Sequence, residues 1–333
     1  MQCCGDAHTL AASHVHTQSN VLSTLTAGFV ADWKGLSPKA AVARVLRASR
    51  IFGMNGLREQ ITNNPAYQRH VAGVAKDDAV FFLSHRHYLA KGLTPTQRAQ
   101  TALHHYRHEI TAFDGAYFDA VYCQNGLTLW RDVVGETSYD IRLMPGNDVL
   151  YEGGVSLVMH VNDVRVCVVS YSTVQTEVFF PRFRTMRDGE VLAATTLYVT
   201  RKQLTPTHEY QKKFNKAFDR TTPAHLCFGA LAGVAHAQGF GGVLGITPEV
   251  HLSCTPELRP HFDVAYTQFW EGLSGHPVSP FAYFIELPMK LTPLDHLDAK
   301  ARKRAIARRS HIHAVRESAH AVLAPHLNPG PRS

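Results

Sequence analysis

The spacing of apolar positions changes twice along the 333 residues. In the first third it is helical. Thr94-Pro95 pairs an N-cap hydroxyl with a proline suited to the first helical position. Ala99, Ala102, Leu103, Tyr106 and Ile110 follow at intervals of three and four, so the spacing predicts a long helix with one apolar face. Ser37-Pro38, ahead of Ala41, Val42, Val45 and Leu46, repeats the signal. Residues 1–30 have no period and read as a loose leader.

Near residue 126 the period falls to two. Leu127 and Leu129, then Tyr139, Ile141 and Leu143, alternate with polar neighbours as half-buried strands do. The clearest element is EGGVSLVMHVNDVRVCVVSYSTV, residues 152–174. A two-residue turn at Asn162-Asp163 sets Val161 opposite Val164, Met159 opposite Val166 and Leu157 opposite Val168. One face is then wholly apolar, and the other holds Ser156, Val158, His160, Arg165, Cys167 and Val169. A slip of one residue would mix the faces, which argues for this register. A further strand is expected over 191–200.

The helical period then returns. Thr222-Pro223 opens a helix closed by Gln238-Gly239, apolar nearly all round (Leu226, Phe228, Leu231, Val234, Ala235). Such a helix is buried on a sheet, and Gly229 and Gly233 leave a groove for a close neighbour. GGVLGIT (241–247) and PFAYFIELP (280–288) read as central strands. A last helix over 297–323 spans about 40 Å. The expected fold is α+β: an antiparallel or mixed central sheet with packed helices, a helical N-terminal extension and a long basic C-terminal helix. The expected divisions are a leader (1–30), a helical region (31–120), the α+β core (121–323) and a tail (324–333).

Composition narrows the class of molecule. Hydrophobic residues make up 45% and charged residues 18%, a globular balance. No run approaches the length of a membrane span. No Lys or Arg precedes an apolar core in the first thirty residues, and His14, His16, Gln18, Ser19 and Asn20 interrupt any run, unlike a secretory signal. The six Cys form no CxxC pair, so neither a disulfide framework nor a zinc ribbon is expected. Cys123, Cys167 and Cys227 read as buried thiols, and the setting as a reducing cytoplasm. The net charge of +7 is local. Lys300, Arg302, Lys303, Arg304, Arg308, Arg309 and Arg316 contribute seven of the 34 basic residues, with no acid between them, and leave 27 against the 27 acidic ones.

Several segments, taken in order, carry a family likeness. They are HRHYLAKGLTPTQR, HHY at 104–106, GLTLWR at 126–131, EGGVSLVMHV from 152, HLCFGALAGVAHAQGFGGVLGIT with His251 beyond it, AYTQFWEGLSG at 265–275, ELP at 286–288 and KARKRAIARR. Together they resemble the VirK/YbjX family of bacterial proteins, a domain of unknown function. Two segments depart from the family pattern, FFPRFRT at 179–185 and DRTTP at 219–223. The resemblance implies a cytoplasmic bacterial protein linked to envelope stress or virulence, without a settled biochemistry.

Candidate chemistry gathers where strands end in loops. Glu152 opens the hairpin and Tyr171 closes it. His251 follows the strand 241–247, and Asp263, Tyr266 and Trp270 form an aromatic-acidic run. Glu152 or His251 suits a general base and Tyr171 a general acid, with Trp270, Tyr266 and Asp263 as substrate contacts. The competing reading makes Trp270, Tyr266 and Phe269 core and His251 a cap. Strands, a buried helix and then GVLGIT also resemble the centre of an N-acetyltransferase-like fold. Such a fold holds an acyl donor, acyl-CoA or another, between splayed strands beside a helix N-terminus and polarises its thioester carbonyl with a backbone N–H. No Gly-rich pyrophosphate loop precedes the helix here; GFGG at 239–242 follows it. His85 with His87, and His104 with His108, lack a telling third ligand, so no metal is expected.

Two function classes therefore stand side by side. One is an acyltransferase-type enzyme acting on a small-molecule or anionic substrate. The other is a non-catalytic regulatory protein that binds nucleic acid or an anionic membrane surface through residues 300–316. The anion-binding candidates are Lys300, Arg302, Lys303, Arg304, Arg308 and Arg309.

Overall fold

The computed structural model describes residue 42 and residues 55–71, 88–146, 152–179, 193–205, 208–291 and 293–329. Residues 1–54 and 55–333 are two compact units. In the first, only Val42 is described, helical and exposed. The leader, Ser37-Pro38, His85, His87 and all but Phe179 of FFPRFRT lie outside the described residues.

The second unit opens with helices α1 (Asn55–Thr62), α2 (Pro65–Val71) and α3 (Pro95–Ala112). Thr94 caps α3 in a full capping box with Gln97, with Pro95 at the first turn. The sheet follows: β1 (Leu127–Val134), β2 (Thr137–Pro145), β3 (Val155–Val161), β4 (Val164–Gln175) and β5 (Thr195–Leu204). Then come α4 (His208–Ala217), α5 (Pro223–Ala237), β6 (Gly242–Ile246), a helical stretch over 259–272, β7 (His276–Ser279), β8 (Ala282–Glu286) and α6 (Ala299–Leu323). The strand order is β1-β2-β3-β4-β5-β6-β8-β7. β5 and β6 pair parallel, joined by the crossover helix α5, and every other pair is antiparallel. The α+β class with a mixed sheet and packed helices is borne out.

The hairpin forms, but its register differs from the expected one. Asn162 and Asp163 take positive φ, as a primed turn requires, and Val161 faces Val164. A bulge between Met159 and His160 then places Met159 opposite Cys167, Val158 opposite Val168 and Leu157 opposite Val169. All seven positions of β3, on both faces of the strand, are buried. A register slip therefore no longer exchanges a wet face for a dry one, and alternation loses its power to specify pairing.

Small residues let α6 approach α5 closely. A Cβ at Gly229 would sit 3.0 Å from Ile312 O, and one at Gly233 would overlap Arg316 O. Gly229 meets residue 312, Gly233 meets 316–320, and the His236 and His320 rings lie 4.5 Å apart. The two helices thus run in the same direction. The first turns of α6, which hold most of the basic run, lie beyond the N-terminus of α5. A parallel crossover puts that N-terminus at the C-terminal ends of β5 and β6.

Candidate functional site

At that end of the sheet two neighbouring strands part. β5 pairs with β4 along its whole length, to Leu204 opposite Cys167. Its pairing with β6 covers only Leu197–Val199 against Val243–Gly245. β6 stops at Ile246, and the chain turns through Pro248–Val250 into His251. Beside the last residues of β5 lies an open cleft of about 740 Å³. Its wall is formed by Glu152, Arg201 to Leu204, His251, Ser253, residues 261–262 and residues 264–266.

Glu152 owes its place to the two glycines after it. Gly153 has φ +155°, and a Cβ there would lie 2.9 Å from Tyr171 N. A Cβ at Gly154 would overlap the ring of His105. Only a chain without side chains passes this close under β4. Thr200 Oγ1 donates to the Glu152 carbonyl, and Gly154 N–H donates to Ser172 Oγ at 2.8 Å. The carboxylate is 6% exposed and meets Arg201 Nε at 3.2 Å, with Ser253 Oγ donating to it at 3.5 Å. Burial raises its pKa, while Arg201 and Ser253 pull it down.

His251 is fixed in one tautomer. Ser253 N–H donates to its Nδ1 at 3.1 Å, so the neutral ring carries its proton on Nε2, which donates to the Tyr266 hydroxyl at 2.9 Å. Burial, then the charges of Lys91 and Arg201, lower its pKa to about 4, so the ring is neutral near pH 7. Lys91 braces this loop: its N–H donates to Val250 O at 2.8 Å and its ammonium to Cys254 O. Tyr266 is also buried, and its phenol is shifted upward by burial first.

The remaining sequence candidates lie elsewhere. Tyr171 is mid-strand in β4, not at its end, and fully buried; its hydroxyl is raised by burial and then by the charge of Glu109. Trp270 belongs to the core: its Nε1–H donates to Ile246 O at 2.9 Å and its ring fills the space over Gly245. Asp263 is held by Arg259 Nε at 2.8 Å within one helical stretch and does not line the cleft. Of the six candidates, the structure brings Glu152, His251 and Tyr266 into one cleft. Arg201, Ser253 and Lys91 were missed. Arg201-Lys202 offered a signal, two adjacent cations near the end of a strand, one for each face.

The basic helix is already partly engaged. The Arg302 guanidinium donates to the carbonyls of Leu294, Asp295 and Leu297 at 3.2–3.4 Å, and Arg316 pairs with Glu317. Lys300, Lys303 and Arg308 are exposed, while Arg304 and Arg309 are half-buried. Arg308 and Lys202 both depress the pKa of His225, in the first turn of α5, to about 4 after burial itself. Lys202 Nζ lies 4.5 Å from the centre of the Phe269 ring. Among the described residues no three His, Cys, Asp or Glu gather as a metal site, and no helix is long and apolar enough to cross a membrane.

Residues 45–182 match the model of a family described as "Protein of unknown function (DUF535)". The VirK/YbjX family is that same family, so the likeness read from the residues is borne out over this segment. Glu152 lies inside the matched segment, and Arg201, His251, Ser253 and Tyr266 lie beyond it. No curated protein and no solved structure matches the chain.

Proposed function

We propose that this chain, which matches the DUF535 family model over residues 45–182, is an acyltransferase-type enzyme that uses an acyl-CoA or similar thioester donor. The observation that carries the reading is the parting of β5 from β6 beside a cleft that holds a buried carboxylate. An antiparallel run of strands, a crossover helix and a parallel β6 are what an N-acetyltransferase-like centre requires. Glu152 takes the proton of the attacking nucleophile as that atom bonds to the thioester carbon. The C–S bond breaks, and the thiolate takes a proton from the Tyr266 hydroxyl, which His251 Nε2–H holds in place. Backbone N–H groups at the parted edge polarise the carbonyl. The basic first turns of α6 stand at the same end of the molecule and favour an anionic donor or an anionic, envelope-related substrate. The cytoplasmic setting and the link to envelope stress or virulence that the resemblance implies belong to this proposal too.

The test is acetyl-CoA added to the full chain during thermal melting. Binding to the native state raises the midpoint with ligand concentration. An unchanged midpoint at millimolar acetyl-CoA overturns the reading.

The exposure of Lys300, Lys303 and Arg308 favours a second reading, a non-catalytic regulator that binds nucleic acid or anionic lipid through residues 300–316. It predicts affinity that falls steeply with salt and is lost in the triple variant Arg304→Gln, Arg308→Gln, Arg309→Gln. Binding that survives those changes removes it.

A further inference from the structure

Where β6 leaves β5, main-chain groups of β5 lose their strand partner. At Lys202 a side chain has taken the vacant place. Lys202 N–H donates to the Tyr266 hydroxyl at 3.1 Å, and that hydroxyl donates to Lys202 O at 3.4 Å. Both groups of one residue thus point away from β4 and end on the same oxygen. The oxygen also accepts His251 Nε2–H, so its hydrogen-bonding capacity is fully used. A residue that presents N–H and C=O to one side of a strand exchanges both bonds with a single residue of an extended antiparallel neighbour. Tyr266 imitates that neighbour with one hydroxyl. The long 3.4 Å donation marks it as a poorer partner than an amide.

We infer that Tyr266 is a gate on the open edge of β5: an extended, amide-bearing chain, the arm of the acyl donor, pairs with the Lys202 main chain and displaces the Tyr266 hydroxyl. This inference rests on the acyl-transfer reading and adds an order of events to it. In the free protein the Tyr266 hydroxyl and the His251 Nε2–H are spent on each other and on Lys202. Once an amide takes over the two Lys202 bonds, the pair is released toward the cleft, where Glu152 already stands. Donor binding therefore arms the proton donor, and the acceptor follows. The residues around the pair suit such a movement. Val264 is 58% exposed, and Phe262, stacked on Tyr266 with ring centres 5.5 Å apart, also lines the open cleft. The ring therefore borders space rather than closed core.

Calorimetric titration with acetyl-CoA tests the gate. Tyr266→Phe keeps the ring and removes the competing hydroxyl, so it binds acetyl-CoA roughly fivefold tighter than the natural chain, the worth of about one hydrogen bond. Its kcat falls at the same time, because the proton donor is gone. Equal or weaker binding by Tyr266→Phe, with the natural chain still binding, overturns the gate and leaves acyl transfer standing. Absence of binding in both overturns acyl transfer and the gate together. A second pair isolates the main-chain group. Lys202→Pro lacks the N–H but keeps the ladder to β4, since that N–H is not in the ladder. It binds roughly threefold more weakly than Lys202→Ala, since the N–H exchanges the hydroxyl for a better partner on binding and proline makes neither bond. Equal affinity of the two variants overturns pairing at this edge.

Discussion

Two buried glutamates make an instructive pair. Glu109, on α3, is 2% exposed and sits in a closed cage. Tyr117 and Tyr122 donate to its two oxygens at 2.9 and 2.6 Å, and His105 Nε2 lies 3.8 Å away. Burial pushes its pKa up to about 7, and the two tyrosine donors only partly offset this. Glu152 is nearly as buried, and burial raises it too, but it faces a guanidinium and an open cleft. Desolvation acts on both, so a raised carboxyl does not by itself mark a site. What separates them is access and a permanent cation. Glu109 fastens α3 to the helical turn after it, whereas Glu152 can meet a solute. Gly154 lies between the two, with one neighbour in each: Glu152 two residues back and His105 against its backbone.

The largest expected effect separates the two carboxyls by rate. Under the proposed acyl transfer, Glu152→Gln lowers kcat by about a hundredfold or more, the usual worth of a general base. Glu109→Gln changes it by no more than about threefold, since the cage does not open to the cleft. Equal losses in steady-state assays of both variants would break the distinction. Next is the backbone shared by both regions. Gly154→Ala drives a methyl into His105 and costs about 3 kcal/mol, read from urea unfolding. A loss below about 0.5 kcal/mol would show that the ring yields freely.

The third prediction concerns pH and has opposite signs in different parts of the molecule. Glu109 has a folded pKa of about 7 against 4.5 for the ordinary group, so the native state holds the extra proton between those values. Its contribution is complete below about pH 4.5 and is lost as pH rises to about 7, in all roughly 3 kcal/mol. His104, His225 and His251, each lowered to about 4, act the other way. Their neutral native forms cost stability as pH falls from 6.5 toward 4. Subtracting the unfolding curve of Glu109→Gln from that of the natural chain removes the histidine slopes and leaves the glutamate's. A flat difference from pH 4 to 8 would mean the cage holds a carboxylate. The smallest effect is long-range. The double variant Arg304→Gln, Arg308→Gln weakens acetyl-CoA binding about threefold at low salt and has no effect at about 0.5 M salt, where such charges are screened. A salt-independent loss would assign these residues to packing instead.

Local signals were sufficient for much of the architecture. Thr94-Pro95 and Thr222-Pro223 begin helices where their cap chemistry says they must, and Asn162-Asp163 turns the hairpin. The nearly all-apolar α5 is buried along most of its length, and its Gly229 and Gly233 receive α6. These features are legible because they depend on neighbours a few residues away. Others could not be read. Alternation implied one register for β3 and β4, but burial on both faces removed the contrast on which that inference relied. Tyr171 and Trp270 looked no different from site aromatics, because a core ring and a cleft ring share one chemistry.

Residue types and spacing were enough to specify α+β, a buried helix on a sheet and a net positive charge located on one helix. The meeting of Glu152 with Arg201, of His251 with Tyr266, and of Tyr266 with the Lys202 main chain was decided by the fold alone. Those partners are up to 64 residues apart and belong to different strands and turns. The reason is physical: helix caps and turns are closed by short-range geometry, whereas the cleft exists only because β6 leaves β5 three pairs after joining it. Where two strands part is set by the packing of everything around them, and no local pattern records it.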